Sequence, residues 1–129
     1  MSTKDMLRVL VVDDMSTSRG LIIQALEWMG IGAIDHCADG QAALQKMSSA
    51  PVHMVISDYN MPGMDGLQLL QVLRSNQQTA RTGFILITGT TDAAVIDRGK
   101  QLGMNNFLKK PFSPTALKAC IEQVVGPLG

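Results

Sequence analysis

Short apolar runs alternate along this chain with longer stretches in which apolar residues recur every three or four positions. Leu7–Val12, Val52–Ile56 and Phe84–Ile87 are nearly continuous in apolar character, as strands buried on both faces are. Ala33–Cys37 is weaker and reads as an edge strand, and Asn106–Leu108 as a short fifth strand. Between them, Ile22, Ala25, Leu26 and Met29 fall on one helical face, as do Ala43, Leu44 and Met47. Leu67, Leu70 and Leu73 mark a third helix, with Leu69 and Val72 widening its stripe. A fourth, running to about Leu102, is weakened by Gly99, and a fifth carries Leu117, Cys120, Ile121 and Val124. Ser16, Thr17 or Ser18 can cap the first helix and Thr91–Asp92 the fourth; Ser113 caps the fifth with Pro114 at its first position. Five strands alternating with five helices predict an α/β fold, a parallel sheet covered by helices on both faces.

The chain's 129 residues suffice for one domain, with a core spanning about 7–125. Eleven basic and eleven acidic residues give a net charge of zero, which offers no footprint for nucleic acid or an anionic membrane. No apolar run approaches the ~20 residues needed to cross a bilayer, and residues 1–6 lack a signal-peptide core. Cys37 and Cys120 match no metal-ligand spacing and read as reduced thiols. The expectation is a cytoplasmic, monomeric protein.

The chemistry concentrates where strands end. Right-handed crossovers carry every strand's carboxyl end to one rim, where ligands bind in open α/β sheets. That rim holds Asp13, Asp14, Asp58, Thr88 and Lys109 or Lys110. Crowded carboxylates repel unless a cation lies among them, and oxygen ligands with room for water suit Mg²⁺. A carboxylate beside Mg²⁺ can attack phosphorus to give an aspartyl phosphate. A hydroxyl and an ammonium, such as Thr88 and a rim lysine, would then neutralise the phosphoryl oxygens. Taken singly, each residue has an ordinary explanation as a loop acid, turn former or strand end. The combination does not.

In this order, Asp13–Asp14, Asp58 within Ser57-Asp58-Tyr59-Asn60-Met61-Pro62-Gly63-Met64-Asp65-Gly66, Thr88 and Lys110-Pro111-Phe112 resemble a receiver domain of two-component signalling. The resemblance is greatest to the single-domain chemotaxis response regulators and runs from about Leu7 to Val125. It implies a flavodoxin-like, doubly wound five-stranded sheet in the order 2-1-3-4-5, an order that chemotaxis regulators are known for and that strand spacing alone does not give. It implies that Asp58 accepts a phosphoryl group from a chemotaxis-type histidine kinase. Asp14, Asp58 and the Asn60 carbonyl would ligate Mg²⁺ directly, with Asp13 acting through water. Lys110 would pair with the phosphoryl group, leaving Lys109 solvated, and Thr88 would swing toward it. Asn60 and Thr90 would tune self-dephosphorylation. Phe107 stands at the switch position, where motor-binding members often carry tyrosine, so it offers a partner no hydroxyl.

The implied output is a change in partner affinity across the surface of the fourth helix, fifth strand and fifth helix. Ala94, Ile96, Lys100, Phe107, Lys118 and Glu122 are its candidate residues, and the flagellar motor switch protein is a candidate partner. A phosphate sink draining a shared kinase is the other role. No catalysis is expected beyond the chain's own phosphorylation and dephosphorylation. Three other readings compete. A phosphohydrolase would want Asp-x-Asp spacing and a cap domain, and a flavin carrier a hydroxyl- and glycine-rich phosphate loop; a phosphorylation-independent binding module remains on the same fold. His36 and His53 carry no assigned role. Arg19 is expected to be solvated and Trp28 to pack on its helix.

Overall fold

The computed structural model describes residues 2–89 and 92–129. Five strands, β1 (Arg8–Val12), β2 (Ala33–Cys37), β3 (Met54–Asp58), β4 (Gly83–Thr88) and β5 (Asn106–Lys109), form a parallel sheet in the order β2-β1-β3-β4-β5. The helices are α1 (Thr3–Met6), α2 (Ser16–Trp28), α3 (Gly40–Ser49), α4 (Gly66–Ser75), α5 (Ala93–Gln101) and α6 (Pro114–Val125). This is the doubly wound, flavodoxin-like sheet that the family resemblance implies. The nearly continuous apolar runs became the inner strands, and β3 is buried at every position. Ala33–Cys37, with its charged and polar residues, became an edge.

Side-chain alternation divides the core into two layers. Val9, Val11, Met54, Ile56, Ile85 and Ile87 point toward α2 and α6, where they meet Ile22, Leu26, Leu117 and Ile121. Leu10, Val12, Val55, Phe84 and Leu86 point the other way, against Ala43 and Met47 of α3 and Leu69, Leu70 and Leu73 of α4. Val95 and Ile96 of α5 pack on this second layer while only partly buried.

Several local expectations are revised. The N-terminal turn α1 was not predicted; Ser2 and Asp5 close on each other, with the Ser2 hydroxyl 2.7 Å from the Asp5 carboxylate. The Lys4 amide donates to the Leu128 carbonyl, so the partner that settles this turn lies at the far end of the sequence. Val72 does not widen the buried stripe of α4 but is exposed. None of the three hydroxyl residues caps α2. Its N-cap is Met15, whose amide donates to the Asp13 carboxylate at 3.0 Å. Gly99 weakens α5 for a packing reason: a Cβ there would collide with Met104 and press on Leu67. Ser113 does cap α6, accepting the Ala116 amide, with Pro114 in the first turn.

Gly66 matters most for the rim. A Cβ on it would lie 2.5 Å from the Asp58 carbonyl and 2.8 Å from Leu86, and its amide donates to the Tyr59 carbonyl. A backbone neighbour cannot rotate away as a side chain can. Gly66→Ala should therefore lower stability by about 2 kcal/mol in urea unfolding, the cost typical of overpacking. Gly20→Ala, in a helix interior with nothing within 4 Å, should raise it by roughly 0.5–1 kcal/mol in the same measurement.

Candidate functional site

Strand register assembles the predicted residues. Val12 pairs with Ser57, so Asp13 stands beside Asp58. Asp58 pairs with Ile87, which leaves Thr88 one residue further along β4. Thr88 pairs with Lys109, and the next amide, that of Lys110, donates to the Thr88 carbonyl at 2.9 Å. Alternation then assigns sides. Asp58 continues the row of Met54 and Ile56 toward α2 and α6, and Asp13 continues that of Val9 and Val11. Thr88 continues the row of Phe84 and Leu86 toward the α3–α5 side. Lys110 follows β5 into the loop before α6; its peptide bond to Pro111 is cis.

The electrostatics are unbalanced. Asp13 is fully buried and Asp58 is 6% exposed, while Asp14 is exposed. Lys110 Nζ lies 3.2 Å from Asp58 Oδ1 and 3.7 Å from Asp13 Oδ2, the latter too far for a hydrogen bond. Asp13 Oδ1 accepts the Met15 amide, but Oδ2 has no hydrogen-bond partner among the described residues. Burial pushes the Asp58 carboxyl above its usual range; the Lys110 ammonium pulls it back and the Asp13 carboxylate adds to the upward push. One oxygen from each of Asp13, Asp14 and Asp58 can be chosen so that all lie within 4.8 Å of one another. An all-oxygen cluster with an orphaned buried oxygen fits a hard divalent cation such as Mg²⁺.

Asn60 is exposed in the loop after β3, and Lys109 is exposed beside Lys110. Thr88 is buried, and Phe107 is 37% exposed. Phe107 pairs with Leu86, two residues before Thr88, so Thr88 and Phe107 share a sheet face. The Thr90 prediction lies outside the described residues. Of the surface candidates, Ala94, Lys100 and Phe107 are exposed; Ile96 packs on the core, Lys118 is half-buried, and Glu122 accepts the Leu128 amide.

Three residues were undervalued by the sequence. Arg19 is not simply solvated: it donates to the Asp13 carbonyl at 2.8 Å. Ser18 accepts from Lys110 Nζ at 3.0 Å. Trp28 is 61% exposed, and with Met15, Leu21, Pro111 and Phe112 it lines an open groove of about 700 Å³ that reaches Lys110. The place of Ser18 and Arg19 in the first turn of the helix after Asp13–Asp14 was the available signal, whereas Trp28 ends that helix. Away from the rim, His53 accepts the Arg8 amide and serves the fold. Burial pushes the thiols of Cys37 and Cys120 up to about 11, leaving them inert.

Comparison with known proteins shows the family. The model of the response regulator receiver domain matches residues 9–122. The chain belongs to that family. It is 44% identical over 128 residues to the Rhizobium etli protein named Probable chemotaxis protein CheY, covering 99% of each. It is 30% identical to chemotaxis protein CheY-3 of Vibrio cholerae, over 92% of this chain and 91% of that one. Among solved structures, Vibrio cholerae chemotaxis protein CheY4 superposes with a TM-score of 0.86 at 32% identity, covering 92% of this chain and 98% of the other. This receiver is therefore a chemotaxis-like response regulator, a signalling protein rather than a conventional enzyme. No helix among the described residues is long and apolar enough to cross a membrane.

Asp58 sets a pH signature for the receiver. Between the ordinary carboxylate range and its raised value, the folded chain holds more protons than the unfolded one, so stability falls as pH rises through that window. Above it the ionised group is held at a cost. In chelator at neutral pH, Asp58→Asn should raise the Tm by roughly 4 °C, the shift that about 1 kcal/mol produces in a small domain. Added Mg²⁺ should raise the Tm of the wild type and leave that of the variant unmoved; thermal unfolding with and without Mg²⁺ checks both.

Proposed function

We propose that this receiver takes a phosphoryl group onto Asp58 from a chemotaxis-type histidine kinase, with Mg²⁺ at the acidic rim, and thereby changes its affinity for a partner. The observation that carries this reading is the meeting of three carboxylates with one ammonium, Lys110 Nζ, 3.2 Å from Asp58 Oδ1. Asp14 and Asp58, with the Asn60 carbonyl, are the residues to hold the cation directly, and Asp13 through water. When bound, Mg²⁺ supplies positive charge to the phosphoryl oxygens and lowers the repulsion between carboxylates.

An Asp58 oxygen forms its bond to phosphorus as the donor's P–N bond breaks, and the imidazole leaving group takes up a proton. Lys110, already beside Asp58, transfers its hydrogen bond to a phosphoryl oxygen. The buried Thr88 hydroxyl approaches the same group from the opposite side of the sheet. Hydrolysis by water returns phosphate and the free carboxylate, with the Asn60 side chain tuning its rate. Because Thr88 and Phe107 share a face, occupation of the site biases the packing of Phe107 and α5. A two-state surface of α5, β5 and α6 then reports phosphorylation. Phe107 offers that surface an apolar ring without a hydroxyl, suiting either a motor switch protein that reads shape or a phosphate sink. The proposed setting is the cytoplasm and the proposed state a monomer.

The donor reaches Asp58 beside the exposed groove of Met15, Leu21 and Trp28, which is continuous with Lys110. Two experiments test the reading. Intact mass after incubation with Mg²⁺ and a small phosphoramidate should show one added phosphoryl group, absent in chelator and in Asp58→Asn, and formed at least about tenfold more slowly in Lys110→Ala. Addition without Mg²⁺, or in the Asn variant, contradicts the assignment. Trp28→Ala should slow transfer from a phosphorylated histidine-kinase domain roughly tenfold, as loss of an interface aromatic does, while transfer from the small donor is unchanged.

A further inference from the structure

We infer that Ser18 is a positioning residue for phosphoryl transfer, holding Lys110 in place from α2. An ammonium has three N–H donors. Among the described residues, Lys110 Nζ faces three oxygens: Ser18 Oγ at 3.0 Å, Asp58 Oδ1 at 3.2 Å and Asp13 Oδ2 at 3.7 Å. The shortest of these contacts, and the only uncharged one, is to Ser18.

The arrangement follows from the local fold. Because Met15 is the N-cap and its amide is taken by Asp13, the Ser18 hydroxyl is not used as a cap. It stands in the first turn of a helix whose Ile22, Ala25 and Leu26 are anchored in the core. Lys110 comes instead from a loop, and its side chain is 27% exposed. A flexible four-carbon stem with a partly solvated end needs a fixed acceptor to occupy one geometry. Neither carboxylate can serve throughout, because Asp58 is the group that changes on phosphorylation and Asp13 lies beyond hydrogen-bond distance. Ser18 is unaltered by the reaction. It keeps one N–H engaged while the N–H on Asp58 passes to the phosphoryl oxygen. Preorganisation of this kind speeds the step without changing which groups react.

This inference rests on the proposed phosphorylation of Asp58, and the test separates the two. Phosphorylation from a small phosphoramidate at saturating Mg²⁺ is followed for wild type, Ser18→Ala, Ser18→Thr, Lys110→Ala and the Ser18→Ala/Lys110→Ala double variant. Ser18→Ala should slow the reaction roughly fivefold, with Mg²⁺ affinity and Tm unchanged, and Ser18→Thr should restore most of the rate. In the Lys110→Ala background the same substitution should have no effect, since a residue acting through Lys110 has nothing left to position. An unchanged or faster rate in Ser18→Ala overturns the inference, as does an equal slowing in both backgrounds. Failure of the wild type itself to take up phosphate would refute the phosphorylation reading instead.

Discussion

Two carboxylates buried against one partly exposed ammonium are the constraint on which the rim depends. Asp13 and Asp58 lie at the ends of adjacent inner strands because the apolar runs before them must be buried, and that burial carries their charges out of water. Lys110 answers part of the charge, and Asp13 Oδ2 is left unanswered among the described residues. In a low-dielectric setting such an imbalance is costly to hold. A cation of the kind proposed would find there a deficit of positive charge already built. The fold holds the electrostatic cost, and the proposed cation would relieve it.

In the proposed function the sheet also separates receiving from reporting. Asp58 leans to the side of α2 and α6, with Lys110 and Ser18, whereas Thr88 belongs to the row of Phe84 and Leu86 on the side of α3 to α5. Phe107 shares that second face. A group bound at Asp58 thus lies between two layers, and contact with both Lys110 and Thr88 bridges them. The exposed groove beside Trp28 lies on the receiving side, and Phe107 at the opposite edge of the sheet surface. Donor and output partner can therefore approach from different directions.

The strands and the rim acids were legible because burial on both faces leaves an unbroken apolar run, and the residue ending each run must lie at the rim. Asp58 after Val55–Ser57 and Asp13–Asp14 after Val12 follow from that alone. Helix caps were less legible: three hydroxyl residues in succession all suit α2, and the choice of Met15 depends on Asp13 turning back to take its amide. The N-terminal turn was invisible because its bond runs to Leu128, and no local pattern reports a contact across the whole chain. Gly99 read as a weakness, yet the end of the Met104 side chain packs where its Cβ would stand. Ser18 and Arg19 could be placed near the rim, but only side-chain direction reveals that one meets Lys110 and the other the Asp13 carbonyl. The shared face of Thr88 and Phe107 needed the register of β4 against β5, which spacing does not supply.

The most direct test of the account is amide NMR of the isotope-labelled chain, titrated first with Mg²⁺ and then with a fluoroberyllate mimic of the phosphoryl group. The account predicts that Mg²⁺ shifts amides of residues 13–15 and 58–61 only. The mimic should bind only once Mg²⁺ is present, and the shifts should then extend to Thr88, Phe107 and Lys110. If the mimic binds without Mg²⁺, the place given to the cation is contradicted; if the shifts stop at the rim and never reach Phe107, the coupling of charge at Asp58 to the α5–β5–α6 surface is contradicted.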